Sequence, residues 1–279
     1  MTEDTVSLFE LDRSRCIKCG ACVKDCLFGA LRAGDDGYPA MKAADKCMRC
    51  QHCLAVCPKA AVSFGGKRPE DSLALDGLAL PTAEETENFM RARRSTRWYR
   101  RDDVDRATLE GILKALGNSP TGCNARSLRF TCFSTRVAMD GFRAEFIRAI
   151  EEHRDGSRML PRWLALPAIK MRQGKGDLFF RDAPGMLIVS SDETAPGVTT
   201  PAEDVVIACT HFELLAQSRG LGTCWCGFLK LVQNEVPELL EKILGLRRST
   251  PFYAMLFGYP ALKYRRGVQR DGEAVIDWR

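Results

Sequence analysis

Two stretches of sequence decide the fold of the first part of the chain: Cys16-Ile-Lys-Cys-Gly-Ala-Cys-Val-Lys-Asp-Cys26 and Cys47-Met-Arg-Cys-Gln-His-Cys-Leu-Ala-Val-Cys57. Both read C-x2-C-x2-C-x3-C, and the second repeats the first 31 residues further on. Together they contain eight of the 13 cysteines of the protein. In a reducing compartment, so dense an array indicates metal ligation or redox chemistry sooner than disulfide bonds.

The composition is that of a folded globular protein. Of the 279 residues, 45% are hydrophobic and 28% are charged, which excludes a disordered chain, a collagen-like fibre and a disulfide-stapled miniprotein. The net charge of +5 is too small to identify a nucleic-acid binder. Residues 1–11 show no basic leader followed by an apolar stretch, and no apolar run approaches the roughly 18 residues of a membrane span. We therefore expect a cytoplasmic protein without a membrane anchor.

The cysteine spacing fits iron-sulfur clusters better than zinc. A 4Fe-4S cluster needs four thiolates, and three cysteines at this spacing wrap one corner of the cube while a fourth comes from elsewhere. Zinc in two four-cysteine sites is the alternative, but zinc ribbons use two separated C-x2-C pairs. Over residues 6–64 the chain resembles the bacterial two-cluster ferredoxins, except that Leu27 stands where that family commonly has proline. The resemblance implies two 4Fe-4S clusters, one held by Cys16, Cys19, Cys22 and Cys57 and the other by Cys47, Cys50, Cys53 and Cys26.

Two domains are expected, with a ferredoxin domain at residues 1–66, a linker at 67–81 and a second domain at 82–279. The segment that begins at Gly65-Gly-Lys-Arg-Pro69 carries structure breakers and little regular pattern. Thr82-Ala-Glu-Glu85 is a capping box, which predicts a helix that runs into Arg93. Apolar residues at helical spacing between Asp105 and Gly117 predict a second helix.

The rest of the second domain alternates between strand and helix patterns, so the expected fold class is α+β. In the first domain, an alternating apolar segment lies at 6–11, and helical stretches are predicted after Cys22 and over 53–64. The strands predicted in the second domain are 128–135, 185–190, 223–228 and 252–258, and the further helices are 139–153, 203–219 and 230–244.

Arginine is concentrated just after the first helix of the second domain. Residues 91–106 contain seven arginines and three acids. Within them, Arg93-Arg94-Ser95-Thr96-Arg97 offers guanidinium forks and hydroxyls to a single phosphate. The alternatives are a solvated helix end and a nucleic-acid patch.

Four segments, in order, resemble the FMN-dependent nitroreductases over residues 86–279. They are Arg93 to Arg97, the loop Ser119-Pro-Thr-Gly-Cys-Asn124, the segment Gly220-Leu-Gly-Thr-Cys-Trp-Cys-Gly227, and a terminal basic pair. The resemblance implies a nitroreductase-like mixed α/β flavin domain behind the ferredoxin-like module. Ala125-Arg126-Ser127-Leu128 and Cys224-Trp225-Cys226 depart from the family pattern, and the roles of Cys224 and Cys226 stay open.

The same resemblance assigns the cofactor contacts. Arg93, Arg94, Ser95 and Arg97 would hold the FMN phosphate and the pyrimidine side of the ring, with Arg97 placing positive charge near N1 and O2. Asn124 would bind the ring edge, and backbone amides near Cys226 and Gly227 would face N5 and O4. Arg266 and Arg270 would complete the phosphate site. No side chain is expected to be catalytic, because flavin N5 carries the hydride.

The sequence therefore predicts an FMN-dependent oxidoreductase that reduces nitroaromatic or other electron-poor planar acceptors with electrons from its own two clusters. Resemblance also implies a homodimer with FMN at the subunit interface. The external electron donor would be a ferredoxin or an NAD(P)H-linked reductase, and no nucleic-acid or membrane partner is expected. The alternative is an electron relay or redox sensor that serves a partner protein.

Overall fold

The computed structural model describes residues 7–155, 160–270, 272 and 274–279. The chain divides into two compact units, Met1–Leu80 and Pro81–Arg279. The predicted linker starts inside the first unit, where Pro69–Asp71 form a 3-10 turn and Glu70 pairs with Arg15 at 2.7 Å. The predicted domain limits of 66 and 82 stay predictions.

The first unit consists of two short antiparallel strand pairs and two helices of one turn each. Strand β1 pairs with β4, β2 pairs with β3, and the apolar interior includes Leu31, Leu54, Val62 and Phe64. The elements are β1 (Phe9–Leu11), α1 (Ala21–Lys24), β2 (Leu31–Ala33), β3 (Pro39–Met41), α2 (His52–Ala55) and β4 (Val62–Phe64). The helix predicted over 53–64 is wrong beyond Ala55, because Val62–Phe64 form a strand with β1.

The second unit is built on one antiparallel sheet in the order β5-β6-β8-β7, covered by helices on both faces. Its strands are β5 (Leu128–Phe133), β6 (Gly185–Ser191), β7 (Gly222–Trp225) and β8 (Phe252–Gly258). Its helices are α3 (Ala83–Ala92), α4 (Arg106–Ala115), α5 (Arg136–Asp155), α6 (Arg162–Arg172), α7 (Pro201–Ser218), α8 (Gly227–Glu235) and α9 (Pro237–Leu244). The expected α+β class is confirmed.

The alternation of the central strands explains the three layers. Successive side chains of a strand point to opposite faces, and both faces of β6 and most of β8 are buried. In β6, Met186 and Ile188 pack into one core with α5, α6, α8 and α9. Leu187 and Val189 pack into the other core with α4 and α7.

Three predictions about the second unit need correction. The strand predicted over 223–228 ends at Trp225, and a helix begins at Gly227. The helix predicted over 230–244 is two helices, because Pro237 starts a new one. Helix α6 was not predicted, and it contains Pro167 in its interior. Among the described residues, no helix is long and apolar enough to cross a membrane.

Candidate functional site

The first set of cysteines comes together around one small cavity. Cys16, Cys19 and Cys22 line it from the first stretch, and Cys57 lines it from the end of the second stretch. Cys22 is buried, and burial together with the neighbouring Cys57 and Cys16 raises the pKa of its thiol. The four cysteines assigned to one cluster are therefore neighbours in space.

Three cysteines of the second set lie close together around Cys53. Burial raises the pKa of the Cys53 thiol to about 12, and the nearby Cys50 and Cys47 contribute to the shift. Cys26 belongs to the same apolar cluster as Cys47 and Cys53. A bound metal would deprotonate thiols that burial otherwise keeps neutral.

The loops around the cysteines have the same backbone conformation in both halves. The left-handed residues of the first half, Lys18 (φ 55°), Gly20 (φ 73°) and Gly29 (φ 63°), recur 31 positions later at Arg49, Gln51 and Ala60. In addition, the sulfur of the last cysteine of each stretch accepts a backbone N–H bond, at 3.4 Å from Leu31 and 3.3 Å from Ala61. The sequence repeat is thus also a structural repeat, and non-glycine residues adopt strained conformations to maintain it.

This arrangement fits a cube-shaped cluster better than a zinc ion. A zinc site would require four ligand atoms within about 2.3 Å of one point. A 4Fe-4S cluster instead takes its thiolates at separate corners, which suits cysteines that line a common cavity.

In the second unit, the arginine segment is held against the edge strand β7. Ser95 bridges to Thr223 in parallel, and the Thr96 N–H donates to the Thr223 carbonyl at 2.7 Å. Gly222 is required here, because a Cβ at this position would lie 2.2 Å from the Thr96 hydroxyl oxygen. Further on, the Ala261 N–H donates to the Trp98 carbonyl at 2.9 Å. The segment therefore lies between β7 and the C-terminal residues.

A buried glutamate on α7 holds the first of these arginines. Glu213 is 6% exposed and accepts bonds from the Arg93 guanidinium at 3.5 Å, from the Thr223 hydroxyl at 3.2 Å and from the Trp225 indole N–H at 3.4 Å. A third of the Arg93 side chain remains exposed. Helix α7 was predicted from the sequence, but Glu213 was not identified as a site residue, although an acid beside the apolar face of the helix is a visible signal.

Arg94 and Ser95 complete the polar edge. Arg94 donates from Nη2 to the carbonyl of Arg91 at 3.0 Å, but its Nε is buried without a partner among the described residues. An orphaned guanidinium N–H costs free energy unless an acceptor reaches it. A phosphate oxygen beside the half-buried Ser95 would be such an acceptor.

The C-terminal basic pair is only partly brought to this edge. Gly267 lies close to the start of the segment, since a Cβ on it would be 3.6 Å from the Arg91 carbonyl oxygen, and this places the neighbouring Arg266 nearby. Arg266 and Arg270 are both exposed. Within the described ranges, no hydrogen bond or ion pair joins Arg270 to the arginine segment.

The expected ring contacts around β7 are corrected at one position. Cys226 is buried, and its backbone N–H already donates to the Ala254 carbonyl at 2.8 Å, so this amide is not open to a ligand. Gly227 is the first residue of α8, where backbone N–H groups lack intrahelical partners. Burial raises the pKa of the Cys224 thiol, and the positive charges of Arg97 and Arg181 oppose this increase. Arg181 was not identified from the sequence.

The loop that carries Asn124 is attached to the first turn of α7, away from Glu213. This loop is fixed by the Gly122 N–H, which donates to Asp204 at 2.9 Å in the first turn of α7. Glu213, which holds Arg93, follows nine residues later, a rise of about 13 Å along the helix axis. Within one chain, Asn124 and the arginine segment are therefore anchored at separate positions along α7.

Together, the cysteine nests and the arginine-lined sheet edge define a two-part redox protein, a ferredoxin-type module followed by an oxidoreductase domain. The family model of the nitroreductase family matches residues 90–259, and that of the 4Fe-4S dicluster domain matches residues 15–62. The chain belongs to the nitroreductase family and carries an N-terminal 4Fe-4S dicluster domain.

Comparison with individual proteins agrees for each unit. A ferredoxin from Pyrobaculum islandicum is 34% identical over 67 residues, which cover 24% of this chain and 62% of that ferredoxin. A nitroreductase with bound FMN from Bacteroides fragilis has a TM-score of 0.53 and 21% identity, covering 70% of this chain and 99% of its own. An FMN-dependent nitroreductase from Mycobacterium smegmatis in complex with NADPH has a TM-score of 0.51 and 16% identity, covering 71% and 99%. At these identities, the two structures support the fold.

Proposed function

We propose that the protein is a cytoplasmic FMN-dependent oxidoreductase that reduces nitroaromatic or other electron-poor planar acceptors with electrons from two 4Fe-4S clusters of its own. The observation that carries the proposal is the attachment of the arginine segment to β7, because it brings to one sheet edge the side chains that would bind a phosphate. Arg97 follows them directly in the sequence. Bound FMN accepts single electrons and delivers a hydride.

The side chains of the chain bind and orient this cofactor. Arg93, held by Glu213, and Arg94 with its unpartnered Nε would bind the phosphate together with Ser95. Arg97 would stabilise negative charge on the pyrimidine side of the reduced ring. The Gly227 N–H would donate to the ring edge near N5, and Arg266 with Arg270 would neutralise the phosphate from the exposed side.

A homodimer would complete the site. By the family resemblance, a second copy of the chain would bring its Asn124 to the ring edge. Cyclic two-fold dimers are the commonest soluble oligomers. The external electron donor would be a ferredoxin or an NAD(P)H-linked reductase, and the NADPH complex of the Mycobacterium smegmatis relative supports a nicotinamide donor.

Metal, sulfide and flavin analysis of anaerobically purified protein tests the cofactors. We expect about eight irons and one FMN per chain, since each cubane has four irons. Cys57→Ser should reduce the iron to about half, because Cys57 lines the first cavity. The matched control is Cys123→Ser, an exposed cysteine outside both stretches, which should keep all the iron. Protein with zinc and no flavin would contradict the proposal.

A turnover assay separates the enzyme from the alternative, an electron relay or redox sensor. Dithionite- or ferredoxin-reduced protein should reduce nitro compounds, quinones or enones faster than the same concentration of free FMN. A rate equal to that of free FMN would favour the relay.

A further inference from the structure

The second unit contains a large cavity next to the proposed ring site. Its volume is about 970 Å³, and Arg97, which also borders the ring site, lies on its wall. The walls come from residues 97–101, the first half of α5, the end of α6 and the turn before β6. The charged lining consists of Arg97, Arg101, Arg136, Arg143, Arg172, Arg181, Asp140, Asp177 and Asp182. The lining therefore has twice as many arginines as acids.

Acids neutralise only half of these arginines. Arg143 pairs with Asp177 at 2.8 Å and with Asp140 at 2.7 Å. The other paired arginines are Arg136, which is 3.9 Å from Asp140, and Arg172, which is 2.7 Å from Glu151 outside the cavity. In the described parts of the chain, no acid pairs with Arg97, Arg101 or Arg181. Three guanidiniums around one cavity are left for an external anion.

The turn that carries Arg181 is rigidly built. The buried carboxylate of Asp177 accepts backbone N–H bonds from Phe179 at 3.1 Å, Phe180 at 2.8 Å and Asp182 at 3.2 Å. Arg181 itself has a left-handed backbone, with φ 56°, and its N–H donates to the Asp177 carbonyl at 3.1 Å. Strained backbone persists where surrounding bonds fix it, and such residues cluster at functional sites.

Aromatic and aliphatic side chains complete the lining of the cavity. Trp98 is 69% exposed at its rim, and Tyr99, Ile147, Met171 and Leu178 line it with the arginines. Aromatic faces bind planar rings, and guanidinium forks bind carboxylates and phosphates with two parallel hydrogen bonds. The cavity therefore combines an aromatic surface that can bind a planar ring with guanidinium groups that can bind an anion.

We propose that this cavity selects planar acceptors that carry an anionic group, and that Arg181 contacts that group while Arg97 serves the flavin. The proposal rests on the proposed function and names its substrate class. Asp177 acts as a positioning residue, because its contacts fix the turn rather than the ligand. In the test reaction, a nitro group takes two electrons and two protons from the reduced protein and water, forms the nitroso compound and releases one water.

Steady-state kinetics with a matched substrate series test the selection. In holoenzyme reduced by dithionite, 4-nitrobenzoate and 4-nitrophenyl phosphate should exceed neutral 4-nitrobenzamide in kcat/KM by roughly tenfold to a hundredfold, mainly through KM. The advantage should shrink as salt rises, since screening weakens exposed charge pairs. The larger of the two anion values shows whether a carboxylate or a phosphate is preferred.

Arg181→Gln removes the charge and keeps an uncharged polar side chain, which is shorter, on the same strained backbone. It should reduce the ratio of kcat/KM for 4-nitrobenzoate to kcat/KM for 4-nitrobenzamide at least tenfold. Arg181→Lys should retain most of this ratio. The control is Arg247→Gln, an exposed arginine that lines a separate cavity, and it should leave the ratio unchanged. A ratio that is equal in wild type and Arg181→Gln overturns the proposal.

Binding measurements separate this proposal from the proposed function. Calorimetric titration of oxidised holoprotein should show that 4-nitrobenzoate binds at least tenfold more tightly than 4-nitrobenzamide. Arg181→Gln should remove this difference in affinity. Equal affinities overturn the inference even if nitro compounds are reduced. Absence of all turnover, with benzoate still preferred, contradicts the proposed function and leaves the anion site supported.

Discussion

Cys226 beside the proposed ring site and Cys209 inside α7 behave as packing residues. The buried thiol of Cys226 points to the Phe179 carbonyl, with 3.8 Å between sulfur and oxygen. Burial raises its pKa to about 12, and burial does the same for Cys209 inside α7. A thiol is nucleophilic only as the thiolate, so neither residue has the environment of a reactive cysteine.

Alkylation at different pH values checks this conclusion. Below pH 9 the folded protein should react with iodoacetamide at exposed Cys123 and leave Cys226 and Cys209 unmodified, as read by peptide mass spectrometry. Since their pKa is higher in the fold than in the unfolded chain, burial of these thiols stabilises the protein fully below pH 9. That stabilisation is lost as the pH rises toward 12. Cys123→Ser should abolish the fast labelling, and rapid labelling of Cys226 at pH 8 would contradict the assignment.

At the scale of elements, the turn before β6 depends on one carboxylate. Asp177 and Arg143 form an ion pair in which both side chains are at most 10% exposed, and Arg143 also donates to the Ala183 carbonyl at 2.6 Å. The pair links the turn to α5. The two residues are 34 positions apart in the sequence, so no local sequence pattern predicts their contact.

Asp177→Ala should therefore destabilise the second unit by about 3–5 kcal/mol, because it leaves the buried Nε of Arg143 and three backbone N–H groups of the turn without their acceptor. Chemical unfolding followed by circular dichroism measures the change. Glu152→Gln is the control, since Glu152 pairs with Lys242 on an exposed surface, and its unfolding midpoint should stay close to that of wild type. An equal effect of the two substitutions would show that the Asp177 pair is not important.

Local signals predicted the regular elements, and long-range contacts account for what was missed. The caps at Thr82 and Asp105 predicted α3 and α4, because each is a bond between neighbours in sequence. The bounds of β8 matched its apolar run. Helix α6 was missed because Pro167 in its interior resembles a breaker, and β2 and β3 because three residues are too few for a periodic pattern.

The site follows the same division. The sequence predicted the candidate cluster cysteines and the arginine segment, because the cysteine spacing and the arginine density are both visible within short stretches of sequence. Glu213 reaches Arg93 across 120 positions, and only the folded sheet brings them together. The amide of Cys226 was assigned to the ligand because its bond to Ala254 on the neighbouring strand cannot be read from sequence.

At the scale of the whole molecule, we propose that two copies of the chain share the FMN site. The arginine segment is fixed to β7 beside Glu213, and Asn124 is fixed near Asp204 at the start of α7. The dimer was expected from resemblance alone. The separation of these two anchors along one helix is compatible with a shared site, and the dimer stays a prediction.

Complementation between two defective chains tests the shared site. Arg93→Ala with Arg94→Ala in one chain should abolish FMN binding, and Asn124→Gly in the other, which suits the left-handed backbone there, should weaken it. Co-expressed and randomly paired, the chains should recover about a quarter of the wild-type sites, because half of the dimers are mixed and each has one intact site. Bound FMN per chain measures the recovery.

The control for this experiment places all three substitutions in one chain and co-expresses it with wild type. Random pairing then leaves an intact site only where both contributing segments are wild type, which also amounts to about a quarter. If co-expression of the two singly defective chains recovers no sites, each chain must build its site alone.

The position of Cys57 among Cys16, Cys19 and Cys22 also bears on how the protein is made. On the proposed ligand set, the first cluster has three anchors that leave the ribosome early and one that leaves some 30 residues or more after them. Its insertion must therefore wait for nearly the entire ferredoxin module to be synthesised. A nascent chain stalled before this point would expose three thiols to oxidation, and the delay makes loading of the first cluster a late event in the synthesis of the ferredoxin module.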